Sequence, residues 1–134
     1  MTARDSLGDM LTIIRNGSSV GFKQVEMPFS KLRQAVLNVM KREGFINEVE
    51  SYQKEGTTHY YLKVTLKYGP SGEKVLNHIE RLSKPGRRVY LPKDKIPRVR
   101  NGYGAIVLTT PKGVLSGKEA RLKKIGGEAI CRMW

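Results

Sequence analysis

The chain has 134 residues, 39% hydrophobic and 28% charged, with 25 Lys and Arg against 12 Asp and Glu for a net charge of +13. That balance describes one ordinary globular domain or two small ones and excludes a disordered chain, while the charge points to a polyanionic partner: nucleic acid, an anionic membrane or a heparin-like polymer. The lone cysteine, Cys131, excludes an internal disulfide, and no apolar run reaches the roughly 18 residues a membrane helix needs.

Leu7, Met10, Leu11 and Ile14 fall at i, i+3, i+4 and i+7, which predicts a helix over 5–16, capped by Asp5 and stopped at Asn16-Gly17. An extended piece over 23–28 leads to a second helix, with Ser30 as N-cap and a stripe of Leu32, Ala35, Val36, Val39 and Met40 ending at Gly44. A strand is expected over 45–52. The next is defined by alternation, with Tyr60, Leu62, Val64, Leu66 and Tyr68 on one face, and Lys54-Glu55-Gly56 makes the two a hairpin. The first half thus reads α-β-α-β-β. Gly69-Pro70-Ser71-Gly72 divides the chain into an N-terminal α/β domain, 1–69, and a C-terminal β-rich domain, 70–134.

Residues 75–82 fit a helical stripe or a buried strand. Pro85-Gly86 forces a turn before an extended piece over 88–91. Residues 105–110 form an apolar, β-branched strand that turns at Pro111-Lys112-Gly113 and returns through Val114-Leu115. A short helix over 118–125, stopped by Gly126-Gly127, and a final strand over 129–134 complete an α+β chain, its second half mostly antiparallel β with short helices.

The charge is uneven. Residues 1–80 carry 11 basic and 9 acidic groups, net +2; residues 81–134 carry 14 and 3, net +11. A localised binding face in the second half is expected, with a merely solvated surface as the bland alternative. Eight basic residues, Arg87 and Arg88 among them, lie between Arg81 and Arg100 around Tyr90, a stacking ring for an unpaired base if it is not a core residue. Thr109-Thr110-Pro111-Lys112-Gly113 places small hydroxyls at a hairpin tip suited to the 2′-OH groups of a shallow RNA groove. Lys118, Arg121, Lys123 and Lys124 charge one helix flank. Glu128 reads either as a salt-bridge partner or as an acceptor for a base or ribose. Catalytic and metal sites are not expected: His59 and His78 have no partners at ligand spacing, Cys131 reads as a buried thiol, and Gly102-Tyr103-Gly104 opens no helix.

Gly104-Ala-Ile-Val-Leu-Thr-Thr-Pro-Lys-Gly-Val-Leu-Ser-Gly-Lys-Glu-Ala-Arg121 resembles the signature of the bacterial form of the small-subunit ribosomal protein eight family. Asp9-Met-Leu-Thr-Ile-Ile-Arg-Asn16, Arg42-Glu-Gly-Phe-Ile46, Leu82-Ser-Lys-Pro-Gly-Arg-Arg-Val-Tyr90 and Gly126-Gly-Glu-Ala-Ile-Cys131 extend the similarity over nearly the whole chain. The resemblance implies a two-domain α+β protein that binds the central domain of small-subunit ribosomal RNA at an irregular helix. It also implies contact with neighbouring ribosomal proteins, notably the fifth, and, as for some relatives, the protein's own messenger RNA. It implies RNA contacts at Thr109, Thr110, Lys112, Gly113, Gly127 and Glu128, a stacking role for Tyr90, and a backbone contact at Ser30-Lys31. By the same resemblance, 75–82 leans to strand. Pro111 stands where many relatives have serine, and Tyr103, where they have an aliphatic residue, is expected to pack, with an extra stacking group as the alternative. The expectation is a non-enzymatic RNA-binding protein with no cofactor and no membrane contact, monomeric when free. It would act in a cytoplasmic ribosome, with an organelle ribosome as the alternative. An RNA-modifying enzyme and an architectural DNA binder are its rivals.

Overall fold

The computed structural model describes residues 6–134. Helix α1 (Ser6–Val20) buries the predicted stripe of Leu7, Met10, Leu11 and Ile14. It continues past the expected stop at Asn16-Gly17 because Gly17 and Ser18 are themselves buried; a Cβ on Gly17 would run into Val25. The chain leaves the helix at Gly21, whose φ of +81° is left-handed. The Asp5 cap lies outside the described residues.

Strand β1 (Gln24–Pro28) leads to α2 (Lys31–Arg42), where the Ser30 hydroxyl accepts from the Arg33 backbone N–H at 3.0 Å. Val36, Val39 and Met40 are buried as predicted, but Leu32 is 43% exposed. Arg33, not Leu32, takes the inward position at the start of the helix. Its guanidinium donates to the Ser6 carbonyl at 3.2 and 3.1 Å and to the Pro28 carbonyl at 2.8 Å, tying α1 and β1 to α2. Burial lowers the Arg33 pKa, against a smaller opposing effect of Asp9. β2 (Ile46–Gln53) and β3 (Tyr60–Leu66) form the expected hairpin, and the sheet order is β1-β3-β2, all antiparallel. Leu62, Val64 and Leu66 face inward; Tyr60, at the first position of β3, stays exposed, and Tyr68 lies beyond the strand's end.

The second sheet contains β4 (Ile79–Arg81), β5 (Tyr90–Leu91), β6 (Ala105–Thr110), β7 (Gly113–Ser116) and β8 (Gly127–Met133). Its order is β4-β8-β6-β7, with β5 pairing β8 as well. Within 75–82 only three residues are strand, and the helical alternative is absent. A 3-10 turn, Val99–Gly102, precedes β6, and α3 (Gly117–Lys123) follows β7. Ser116 and Glu119 form a capping box on α3. The helix ends at left-handed Lys124 rather than at Gly126-Gly127, because those glycines pack β8 against its neighbours.

One buried cluster joins α1, α2 and the inner face of the first sheet to Ile79, Val107, Cys131 and Met133 of the second. A smaller cluster under α3 gathers Ile96, Ile106, Leu108, Leu115, Ala120 and Ala129. Polar ties cross between the halves. Arg15 donates to the Ile79 carbonyl at 2.7 Å, and Arg42 grips both Glu119 oxygens at 2.9 and 3.2 Å. Burial pushes the Glu119 carboxyl up, yet the Arg42 guanidinium and the Ser116 backbone N–H hold it below the usual carboxylate value. Glu119→Gln keeps a capping acceptor but loses the ion pair, so we expect a loss of about 0.2–1 kcal/mol at neutral pH for this half-exposed pair. Since the folded pKa is depressed, the difference from the parent is full above the unfolded value of 4.5 and fades as pH falls through the lower folded value. Urea denaturation of both proteins across pH 2–7 measures it; a pH-independent difference would mean that the ion pair contributes nothing.

Candidate nucleic-acid interface

Strand register brings distant residues into one row. Tyr90 of β5 lies opposite Glu128 of β8, Glu128 opposite Thr109 of β6, and Thr109 opposite Val114 of β7. Residues opposite each other in antiparallel strands share a face. A bulge makes this alignment possible. Val107 pairs with Cys131 but Leu108 with Ala129, leaving Ile130 as an extra residue in β8. Without it the alternation of β8 would turn Glu128 to the opposite face from Thr109.

Within the row Tyr90 is 69% exposed, so the ring is not a core residue. Glu128, with only 14% of its side chain exposed, accepts from Arg88 Nη1 at 3.0 Å. Its salt-bridge role is therefore present, and it holds the guanidinium beside the tyrosine strand. Arg87 lies on the adjacent turn, where the backbones of Lys84 and Arg87 exchange N–H···O bonds of 2.9 Å around Pro85-Gly86. Ser83, fully buried, fixes the turn's return: its hydroxyl accepts from the Val89 N–H at 2.8 Å. Sequence reading passed over Ser83, although a small hydroxyl flanking a Pro-Gly turn is a recognisable signal.

At the β6–β7 tip the Thr110 hydroxyl is already engaged. It donates to the Gly113 carbonyl at 2.7 Å and accepts from the Lys112 N–H at 3.1 Å, which leaves one lone pair for an outside donor. Gly113 has φ +108°, a conformation that requires glycine, and Lys112 is exposed. Gly127 has a packing role: a Cβ there would strike the Thr109 carbonyl and press on the Thr110 methyl. Ser30 and Lys31 stand apart from the row, at the start of α2; the Ser30 hydroxyl caps that helix and Lys31 is exposed.

The helical cations divide. Lys118, Lys123 and Lys124 are exposed, whereas Arg121 is half-buried and donates to the Pro97 carbonyl at 3.3 Å, holding the preceding loop. Tyr103 is 88% exposed, against the expectation that it packs, because left-handed Arg100, Asn101 and Gly102 carry it outward. His78 stacks on Trp134 at 4.2 Å between centroids, and His59 is exposed. Burial pushes the Cys131 thiol up to about 12, against a smaller effect of Arg81, so it is not a nucleophile at neutral pH. Among the described residues no cluster of His, Cys, Asp and Glu could hold a metal ion, and no helix is long and apolar enough to cross a membrane.

Gly127→Ala should shift β8 away from β6 and lower stability by about 1–3 kcal/mol, the usual range for overpacking. Thermal unfolding measures the loss; an unchanged midpoint would show that the close approach is dispensable.

The family described as Ribosomal protein S8 matches residues 5–134. The chain is 47% identical over 136 aligned positions to the small ribosomal subunit protein uS8 of Natranaerobius thermophilus, covering all of both chains. It is 46% identical over 136 positions to that of Exiguobacterium sibiricum, and 42% identical over 134 to that of Borreliella afzelii, again over the whole of both chains.

Proposed function

The chain belongs to the ribosomal protein S8 family, and on that premise we propose that it is a structural constituent of the small ribosomal subunit that binds the central domain of its RNA directly and helps the subunit assemble. Members of this family are structural proteins rather than enzymes. The observation that carries the RNA-binding reading is the row of Tyr90, Glu128 and Thr109, flanked by two basic tips at Arg87 and Lys112. Its parts divide the work by chemistry. The Tyr90 ring stacks on a base splayed from an irregular helix. Arg87 and Lys112 neutralise phosphates, and Glu128 fixes the Arg88 guanidinium so that it meets the backbone in one orientation. The β6–β7 tip enters the shallow minor groove, where the free lone pair on Thr110 takes a 2′-OH donor and Gly113 permits close backbone approach.

Ser30 and Lys31 add a backbone contact from the first half. In this reading residues 1–69 and 70–134 are two units, the second carrying most of the affinity. Neighbouring ribosomal proteins, notably the fifth, complete its surroundings in the cytoplasmic ribosome. The free protein is a monomer, and a messenger RNA hairpin of the same irregular shape is an alternative ligand.

Chemical footprinting on naked small-subunit RNA tests the reading: one compact protected patch in the central domain is expected, and diffuse protection would overturn it. Tyr90→Ala should weaken that binding by roughly 1–3 kcal/mol with little change in salt dependence or thermal stability. Lys112→Ala should instead reduce the log–log salt slope by about one unit.

Glu128→Gln separates geometry from net charge. Removing an acid from a polyanion-binding face should tighten binding if charge alone matters. If Glu128 acts by orienting Arg88, binding weakens, and the loss disappears in an Arg88→Ala background.

A further inference from the structure

Of the five asparagines in the chain, two, Asn16 and Asn101, are followed by glycine. An asparagine side chain can close a five-membered ring onto the next backbone nitrogen, and glycine, with no Cβ, lets that nitrogen approach. The fold treats the two dipeptides in opposite ways. Asn16 is exposed, yet it and Gly17 lie inside α1, whose backbone amides are held in the i→i−4 ladder. Gly17 is buried, and a Cβ on it would stand 2.6 Å from Val25 and 3.3 Å from Leu66. Attack at Asn16 therefore requires α1 to unwind from the core that holds Leu11 and Ile14.

Asn101 stands in the turn over 99–102, where Arg100, Asn101, Gly102 and the following Tyr103 are all exposed. No atom lies within 4 Å of the place a Cβ on Gly102 would take. Three successive residues are left-handed here, Arg100 (φ 49°), Asn101 (φ 55°) and Gly102 (φ 96°), a conformation strained above all for the arginine. The Tyr103 N–H donates to the Arg100 carbonyl at 3.1 Å and the Gly104 N–H to the Val99 carbonyl at 3.0 Å. Opening this turn moves exposed residues only, so it costs less than unwinding a helix from the core.

We propose that Asn101 is a modification site of the folded protein, converted through a cyclic imide to aspartate and isoaspartate, while Asn16 is preserved. The Gly102 backbone nitrogen attacks the Asn101 side-chain carbonyl carbon. The new N–C bond replaces the bond to Nδ2, which leaves as ammonia with the proton that Gly102 gives up. The attacking nitrogen becomes anionic as it loses that proton, and the positive charges of Arg98 and Arg100 favour the anion. Water then opens the imide. Breaking the bond from nitrogen to the former side-chain carbon gives aspartate; breaking the bond to the former main-chain carbonyl gives isoaspartate, whose main chain runs through one more methylene. Either product puts a carboxylate where a neutral amide stood, and isoaspartate lengthens the turn that leads into β6. The reaction that consumes isoaspartate is methylation of its carboxylate by a methyltransferase that uses S-adenosylmethionine. The conversion needs no partner but water and holds whatever the protein binds.

The test keeps the full chain, folded and free of RNA, in neutral heavy-oxygen water and follows both dipeptides by peptide mass mapping. Isoaspartate is counted by enzymatic transfer of labelled methyl groups from S-adenosylmethionine. Asn101 should convert at least about tenfold faster than Asn16, the ratio that about 1.4 kcal/mol of extra opening free energy produces. In urea, where neither backbone is held, the two should convert at like rates. Asn101→Gly suits the left-handed backbone and removes the amide, so methyl transfer to the folded variant should vanish. Equal rates in the folded chain, faster conversion at Asn16, or methyl transfer that survives in Asn101→Gly overturns the proposal. So does a folded chain in which neither asparagine reacts while both react in urea.

Discussion

Strand β8 is hydrogen-bonded on both flanks, to β6 along one and to β4 and then β5 along the other. Tyr90 lies in a two-residue strand that has no other strand partner among the described residues, and its position is set by the pairing with Glu128 and Gly127. Leu91 can lie so close only because Gly126 carries no Cβ; one there would strike the Leu91 carbonyl. The same strand contributes Cys131 and Met133 to the core shared with the first half and Ala129 to the cluster under α3. A change that loosens β8 would therefore disturb the core and the row of Tyr90, Glu128 and Thr109 together.

Much of the fold was legible because local pattern and tertiary demand agree. The bounds of β6, the Ser30 cap and the order α-β-α-β-β follow from periodicity and turn chemistry that the packing then uses. The misreadings have one physical source, that packing and not local pattern decides rotation and length. Leu32 and Arg33 are neighbours on α2, and apolarity favours burying the leucine; the carbonyls of Ser6 and Pro28 favour the arginine, and they prevail. Gly17 looks like a stop until Val25 presses against it. The site was legible residue by residue but not as an arrangement, since the extra residue at Ile130 that aligns Glu128 with Thr109 shows only when β8 meets β6. Nor does the sequence reveal that the Thr110 hydroxyl closes its own turn.

Charge in the second half follows a plan that the totals hide. Of the three acids in residues 81–134, Glu119 is bound to Arg42 of the first half and Glu128 to Arg88 beside Tyr90. Each of these two carboxylates holds a guanidinium in place, while Lys112, Arg87 and Lys118 stay exposed. The excess of base is thus divided between a few oriented guanidiniums and a larger set of exposed cations.

Cys131 gives the molecule a built-in clock. Its sulfur lies in the middle of β8, fully buried, with its thiol held protonated by that burial. A thiol reagent in solution reaches it only when β8 parts from its neighbours, so in the limit of fast reclosing the rate of modification is the reagent's intrinsic rate multiplied by the fraction of molecules with the sheet open. The lone cysteine therefore reports, without any added label, how often the strand that aligns Tyr90, Glu128 and Thr109 lets go, and a ligand seated on that row would slow the clock in proportion to its hold.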